Sequence, residues 1–285
     1  MSGNDTPDLR LGLIGDNIAR SRSPFLHRLA GEQNGMVVTY DRLIPRDLGL
    51  DFDAVFANCA SGSYRGINVT YPYKERAAAK VVIDDALVHA IGAVNTVIFE
   101  ADGPKGHNTD YSGFVAAYRR VRSDLAPGPA LMIGTGGVGR AVAFGLVALG
   151  ASEIRLVDRD PAKAEALADD LRKAAPGLLV TTDDSAEVAA AGVSGIINCT
   201  PVGMVGYPGS PIASDAMAGA GWAFDAVYTP PDTQFLADAE THGLTIVSGW
   251  ELFFFQGVHA WRLFSGKDVD TDLLRQTLMA IGEAA

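Results

Sequence analysis

Gly134, Gly136 and Gly139 fall in a Gly-x-Gly-x-x-Gly spacing, and Asp158 lies 19 residues beyond the last of them. Such a set can hold a dinucleotide when a strand precedes it, a helix follows, and the acid ends the next strand. Ala130–Ile133 reads as that first strand, the Ala-rich run after Gly139 as the helix, and Ile154–Val157 as the second strand. Gly134 permits the tight turn, Gly136 lets the backbone approach a diphosphate, and Gly139 allows close helix–strand packing. Gly137 and Val138 complete the loop, which sets the diphosphate on the positive end of a helix. Asp158 can accept hydrogen bonds from ribose hydroxyls and repels a 2′-phosphate, so NAD is expected over NADP. Arg159 pulls the other way, since it can stack on adenine or meet that phosphate, while Asp160 adds negative charge beside it. The alternatives are a glycine-rich turn that binds nothing and an acid that caps a helix or faces solvent.

Three polar segments in the first half stand at the ends of apolar runs, where loops carry chemistry. Ser21-Arg-Ser23-Pro24 offers two hydroxyls that an extended segment turns to one side, unless Ser23 only caps the following helix. Asn68-Val-Thr70-Tyr-Pro72-Tyr73-Lys74 is a strand end running into a Pro-started helix. Ala93-Val-Asn95-Thr96 and Gly106-His-Asn108-Thr109-Asp110 form a strand end and a hairpin exit. The two hydroxyls of the first segment offer donors and acceptors to a polyol or a carboxylate.

Short β-like runs alternate with helical stretches, the mark of an α/β protein. Strands are expected at Leu11–Ile14, Val37–Leu43, Gly66–Val69 and Ala93–Phe99, with a hairpin at Asp102–Gly103 and a helix N-capped by Thr109 or Asp110. Ser123–Pro129 reads as a junction. The expected fold is two-domain α/β. A substrate and catalytic domain spans 1–122 and is completed by 250–285. It is joined to a Rossmann-type parallel-sheet dinucleotide domain, 123–249. The discontinuity follows from the helical tail, expected at Glu251–Phe264 and Asp270–Ile281.

The formal charge of −11 argues against a nucleic-acid partner, whose phosphates require concentrated positive charge. It leaves room for an anionic small substrate, because a few local cations suffice inside a site. Cys59 and Cys199 are the only cysteines and form no CxxC, which fits a reducing compartment. The five histidines, among them His107 near Asp110, show no metal-ligand spacing, so no metal is expected. The start lacks the pattern of a signal peptide, and no run reaches the roughly 18 apolar residues of a membrane span. A cytoplasmic monomer or homodimer is the expectation.

Taken in order, these segments resemble the shikimate dehydrogenase family over almost the whole chain. Ser21-Arg-Ser23-Pro24 resembles its Ser-x-Ser-Pro, and Asn68 to Lys74 its Asn-Val-Thr-x-Pro-x-Lys. Gly92-Ala-Val-Asn95-Thr96, Asn108-Thr109-Asp110, Asn198-Cys-Thr200-Pro-Val-Gly203-Met204, Asp225-Ala-Val-Tyr228, Gly249 and Gln256 match as well. The resemblance implies that Lys74 and Asp110 are the catalytic pair. Ser21, Ser23, Asn68, Thr70, Asn95, Tyr228 and Gln256, with that pair, would surround the ring acid. Gly134, Gly136, Gly137, Val138, Gly139, Asp158, Arg159, Thr200, Val227 and Gly249 would line the cofactor path.

Three departures refine this. Asp158-Arg159-Asp160 replaces the Asn-Arg-Thr common in the biosynthetic members, and Tyr73 replaces the His before the lysine. Both are similar to the NAD-preferring quinate/shikimate branch. Glu251-Leu252 replaces the usual Met-Leu. The implied reaction is reversible hydride transfer between a nicotinamide and the ring hydroxyl of shikimate or quinate. A sister activity on an amino analogue such as aminoshikimate, or a low-turnover NAD-binding redox sensor, are the alternatives.

Overall fold

The computed structural model describes residues 7–283, with side-chain surroundings to residue 280. The first six residues, part of the stretch read for a targeting signal, lie outside the described residues. The chain opens with β1 (Leu9–Ile14), α1 (Ser23–Gln33), β2 (Val38–Leu43), α2 (Pro45–Leu48) and α3 (Phe52–Ser61). Then come β3 (Gly66–Val69), α4 (Lys74–Ala78), α5 (Ala86–Ile91), and a hairpin of β4 (Thr96–Glu100) and β5 (Gly103–His107). α6 (Thr109–Arg122) leads to β6 (Pro129–Ile133), α7 (Gly137–Ala148), β7 (Glu153–Val157) and α8 (Pro161–Ala174). β8 (Leu179–Asp183), α9 (Ala186–Ala189), β9 (Gly195–Asn198) and β10 (Trp222–Asp225) follow. The remainder is α10 (Gln234–Thr241), β11 (Thr245–Ser248), α11 (Gly249–Ser265) and α12 (Thr271–Glu283).

Two compact units result: residues 1–109 with 256–285, and residues 110–255. In the first, the sheet order is β2-β1-β3-β4-β5. β1 runs parallel to β2 and β3, and β4 and β5 are antiparallel. Because strand side chains alternate, each face of this sheet has its own character. Ile14, Ile67, Val69 and Val97 face one way, into a core with Phe52, Val55 and Phe56. On the other face Leu13 lies opposite Asn68, Asn68 opposite Thr96, and Leu11 opposite Tyr40. There Tyr40 stacks on His27 of α1, ring centroids 5.0 Å apart. The close seat of α11 needs Gly66 and Gly257, since a Cβ would strike the Phe264 ring at the first and Leu26 at the second.

The second sheet has the order β11-β10-β9-β6-β7-β8 and is parallel throughout. Read from β6, the first strand of the unit, this is the doubly wound order of dinucleotide-binding domains, with its switch point between β6 and β9. One face buries Leu131, Ile196, Ala223, Phe235 and Leu236. Over the other, the α6 side chain Phe114 meets Phe224 edge-on at 4.9 Å, and Tyr118 meets Trp222 at 5.1 Å. Gly145 of α7 admits the Phe114 ring. α6 therefore packs with this sheet, whereas the sequence reading carried the first domain through residue 122. The strand expected from Ala93 starts at Thr96, because backbone and side-chain groups of residues 93–95 are committed to other partners.

Candidate active site

In the first unit the polar residues form a serine pair and a longer chain of hydrogen bonds. Ser23 is the first residue of α1 and not its cap, a position held by Arg22 without a side-chain cap bond. The Ser21 hydroxyl donates to Ser23 Oγ at 3.2 Å. Tyr40 donates to Asn68 Oδ1 at 2.8 Å, and Asn68 Nδ2 donates to Thr96 Oγ1 at 3.0 Å. Thr96 reaches Asn95 Oδ1 at 3.1 Å, which also accepts the Thr109 backbone N–H at 2.7 Å. Tyr40, Asn68, Asn95, Thr96 and Thr109 are buried, so each bond replaces one to water that folding removed.

This chain sets the frame of the catalytic candidates. Lys74 is the first residue of α4, and its carbonyl accepts the Val94 N–H at 3.0 Å, beside Asn95. Thr70, one turn earlier, is pinned by its N–H to the Ile14 carbonyl at 2.9 Å. Tyr73 donates to Asp16 Oδ1 at 2.7 Å and stacks on Phe52 at 4.8 Å. Asp110 is buried in the first turn of α6, directly after the Thr109 that Asn95 holds. Asn108 donates to the Ala93 carbonyl at 2.9 Å. Gln256 is half-buried on α11.

The second unit carries the glycine turn. Gly134 has φ +95°, and a Cβ there would stand 2.7 Å from the Cys199 carbonyl carbon. The turn thus lies against the end of β9, at the switch point. Gly136 precedes α7 with no side-chain cap, and a Cβ on it would meet nothing within 4 Å. A Cβ on Gly139 would strike the Gly134 carbonyl oxygen. An uncapped helix start under open space, approached by bare backbone, fits the diphosphate of NAD(P); Gly137 and Val138 are half-buried in its first turn.

Asp158 faces this turn. Its Oδ2 accepts the Thr135 N–H at 2.7 Å and the Thr135 hydroxyl at 2.8 Å, and Oδ1 accepts the Asp160 N–H at 2.9 Å. Burial opposes its charge, but the Asp160 and Thr135 donors prevail and hold the carboxyl below its ordinary range. The cap of α8 is Asp160, not Asp158. A carboxylate has about four acceptor sites, so three donors leave room for a ribose hydroxyl. Arg159 is exposed beside it.

A second clamp orders the loops after β9 and β10. Asn198 Oδ1 accepts the N–H and hydroxyl of Thr200 at 2.9 and 2.7 Å, and its Nδ2 donates to Asp225 at 3.0 Å. Asp225 accepts the Val227 N–H at 2.9 Å and the Thr233 hydroxyl at 2.5 Å. Burial raises the Asp225 carboxyl to about 6 despite these donors. Gly249 lets α11 start within reach of the Asp225 and Val227 carbonyls, which a Cβ would meet at 2.6 and 2.7 Å. Tyr228 stacks on Phe253 at 5.0 Å. Glu251 Oε2 lies 3.9 Å from Arg120 Nε of α6.

Tyr40, Thr135 and Thr233 were not singled out from sequence. Tyr40 pairs with a residue 28 positions away and Thr135 with one 23 away, so no local spacing announces them. Among the described residues no group of three or more His, Cys, Asp or Glu could hold a metal. Among the same residues no helix is long and apolar enough to cross a membrane.

Comparison with known proteins covers both units. Residues 13–97 match the model of the shikimate dehydrogenase substrate binding domain. Residues 131–205 match that of an NADP oxidoreductase, coenzyme F420-dependent. The quinate/shikimate dehydrogenase (NAD(+)) of Corynebacterium efficiens is 36% identical over 95% of this chain and 98% of its own. The shikimate dehydrogenase (NADP(+)) of Pseudarthrobacter chlorophenolicus is 31% identical over 97% and 96%. The quinate dehydrogenase from Corynebacterium glutamicum in complex with NAD superposes with a TM-score of 0.89 at 33% identity, covering 95% of this chain and 99% of that one. Relatives this similar along nearly the full length establish that the chain belongs to the shikimate dehydrogenase family, NAD(P)-dependent oxidoreductases acting on a CH–OH group.

Proposed function

We propose that this enzyme prefers NAD and interconverts the ring hydroxyl of quinate or shikimate with the ketone of 3-dehydroquinate or 3-dehydroshikimate. The observation that carries the cofactor choice is the ionised Asp158 at the end of β7, facing the glycine turn. A fixed negative charge there accepts from a ribose diol and repels a 2′-phosphate. The names of relatives that use NAD and of others that use NADP leave that choice to this residue.

The bound dinucleotide supplies the hydride acceptor in oxidation and the donor in reduction. The carbinol loses a hydride from carbon and a proton from oxygen, giving ketone, reduced cofactor and one proton. Lys74 hydrogen-bonds the reacting oxygen, stabilises the charge that develops on it, and supplies its proton in reduction. Asp110 accepts from a neighbouring ring hydroxyl and orients Lys74. Ser21, Ser23, Asn68, Thr70, Asn95, Tyr228 and Gln256 take the carboxylate and the remaining hydroxyls. Gly134 to Gly139, Asp158, Arg159, Thr200, Val227 and Gly249 hold the dinucleotide.

Asp158→Asn tests the cofactor reading. The ratio of kcat/KM for NAD to that for NADP should fall by about tenfold or more, since a charge-assisted hydrogen bond contributes about 1.5–3 kcal/mol. An unchanged ratio would remove Asp158 from cofactor discrimination.

A further inference from the structure

The Gly-x-Gly spacing names no residue type for its middle position, where this chain has Thr135. Thr135 is 4% exposed, and its two donors converge on one atom. Its N–H reaches Asp158 Oδ2 at 2.7 Å, and its hydroxyl reaches the same oxygen at 2.8 Å. The backbone on both sides of this contact is fixed. Ile133 pairs with Val157 in the sheet, and the Gly134 N–H donates to the Val157 carbonyl at 2.8 Å. The other carboxylate oxygen, Oδ1, accepts the N–H of Asp160, the cap residue of α8, at 2.9 Å.

The terminal torsion of an aspartate is broad, so its donors, not its own preference, decide which way the carboxylate faces. A carboxylate has about four acceptor positions, two on each oxygen. Thr135 takes both on Oδ2, and Asp160 takes one on Oδ1. The position that remains for an incoming hydroxyl is therefore on Oδ1. Two of the three donors are main-chain N–H groups, which any residue but proline would supply. The hydroxyl of Thr135 is the one donor among the three that depends on a side chain.

We propose that Thr135 is a positioning residue and a second determinant of the choice between NAD and NADP, acting through Asp158. Its hydroxyl holds the carboxylate plane so that Oδ1 meets the adenosine ribose diol of NAD. NADP carries a phosphate on that diol and is repelled by the carboxylate, so it gains nothing from the orientation. This rests on the assignment of Asp158 to the cofactor ribose made above.

The test is a double-mutant cycle of Thr135→Val and Asp158→Ala, with Thr135→Ser beside it, in which KM and kcat are measured for NAD and for NADP. Thr135→Val keeps the branched shape and loses the hydroxyl. It should raise the NAD KM about three- to tenfold, the factor that one net hydrogen bond corresponds to, with the NADP KM and both kcat values within about twofold of wild type. Thr135→Ser keeps the hydroxyl and should leave the NAD-to-NADP ratio of kcat/KM within about twofold of wild type. In the Asp158→Ala background, Thr135→Val should change that ratio by less than about twofold, because the oxygen it acts on is gone. If Thr135→Val does not fold, Thr135→Ala also removes the hydroxyl, on a smaller side chain, and must lower the ratio while Thr135→Ser does not. An unchanged NAD KM, equal rises in the NAD and NADP KM values, an equal loss in Thr135→Ser, or full additivity in the cycle overturns the role of Thr135 while leaving Asp158 in the site. A ratio unaffected by Asp158→Ala overturns both the role of Thr135 and the placement of Asp158.

Discussion

Lys74 and Asp110, the catalytic pair we propose, show how much of such a residue's worth lies in its neighbours. Neither stands in a motif that names its chemistry alone; an exposed helical lysine and an acid in a helix's first turn are common. The structure gives each a fixed backbone, Lys74 through the Val94 N–H and Asp110 through its covalent neighbour Thr109, held by Asn95. If Lys74 bonds the reacting oxygen, Lys74→Ala should lower kcat at least about 100-fold, the usual range for acid–base groups. The ring-acid KM should change little. Steady-state rates with quinate and shikimate check this, and near-normal turnover would exclude Lys74 from the chemistry. At this scale the sequence was informative where a residue acts through its own type and setting: Asp158 was visible at the end of its strand. It was silent where a residue acts through a distant partner. Nothing near Tyr40 points to Asn68, and nothing near Thr135 shows that its N–H and hydroxyl would occupy part of the Asp158 carboxylate.

Elements carry the dinucleotide turn. Gly134 adopts φ +95° and rests on the Cys199–Thr200 backbone. Any side chain there meets a backbone conformation that costs about 1–3 kcal/mol, and carbonyl atoms that cannot rotate away. Gly134→Ala should therefore lower the melting temperature and weaken NAD binding together, measurable by thermal unfolding and by fluorescence titration. Gly136→Ala faces open space within its own chain, so it should keep its melting temperature and lose only affinity for the cofactor. Elements were also where expectation and structure differed most. The β4 strand begins at Thr96 and not Ala93, and α6 packs with the second sheet through Phe114 and Tyr118. Periodicity marks a helix's apolar face but not which sheet receives it, and Gly145, the residue that admits Phe114, lies 31 positions away.

On the scale of the whole molecule, the alternation of strands and helices made the α/β fold readable, and the discontinuous arrangement followed from the helical tail. The direction of each sheet and the β3–β4–β5 reversal come from pairings that no single segment contains. Stability against pH also belongs to the whole chain. Asp225 is raised from 3.8 to about 6 by burial, so its contribution to stability is complete below its unfolded value and is lost as pH rises through about 6. Asp158 has the opposite sign, its contribution present at neutral pH and lost as pH falls through its depressed value. The difference in unfolding free energy between wild type and Asp225→Asn should therefore move in the variant's favour as pH rises from 4 to 7. The change is on the order of 3 kcal/mol, at about 1.4 kcal/mol for each tenfold difference in proton affinity between the folded and unfolded carboxyl. A difference independent of pH would show that Asp225 does not titrate in this range.

The central claim is that this chain moves a hydride between NAD and the ring carbinol of quinate or shikimate. The measurement that bears on it most directly is initial-rate reduction of NAD and NADP by the purified protein, with quinate and shikimate each supplied in turn. The account predicts turnover with at least one of the two acids and a higher kcat/KM with NAD than with NADP. Turnover with neither acid would contradict the substrate assignment, and a higher kcat/KM with NADP would contradict the reading of Asp158.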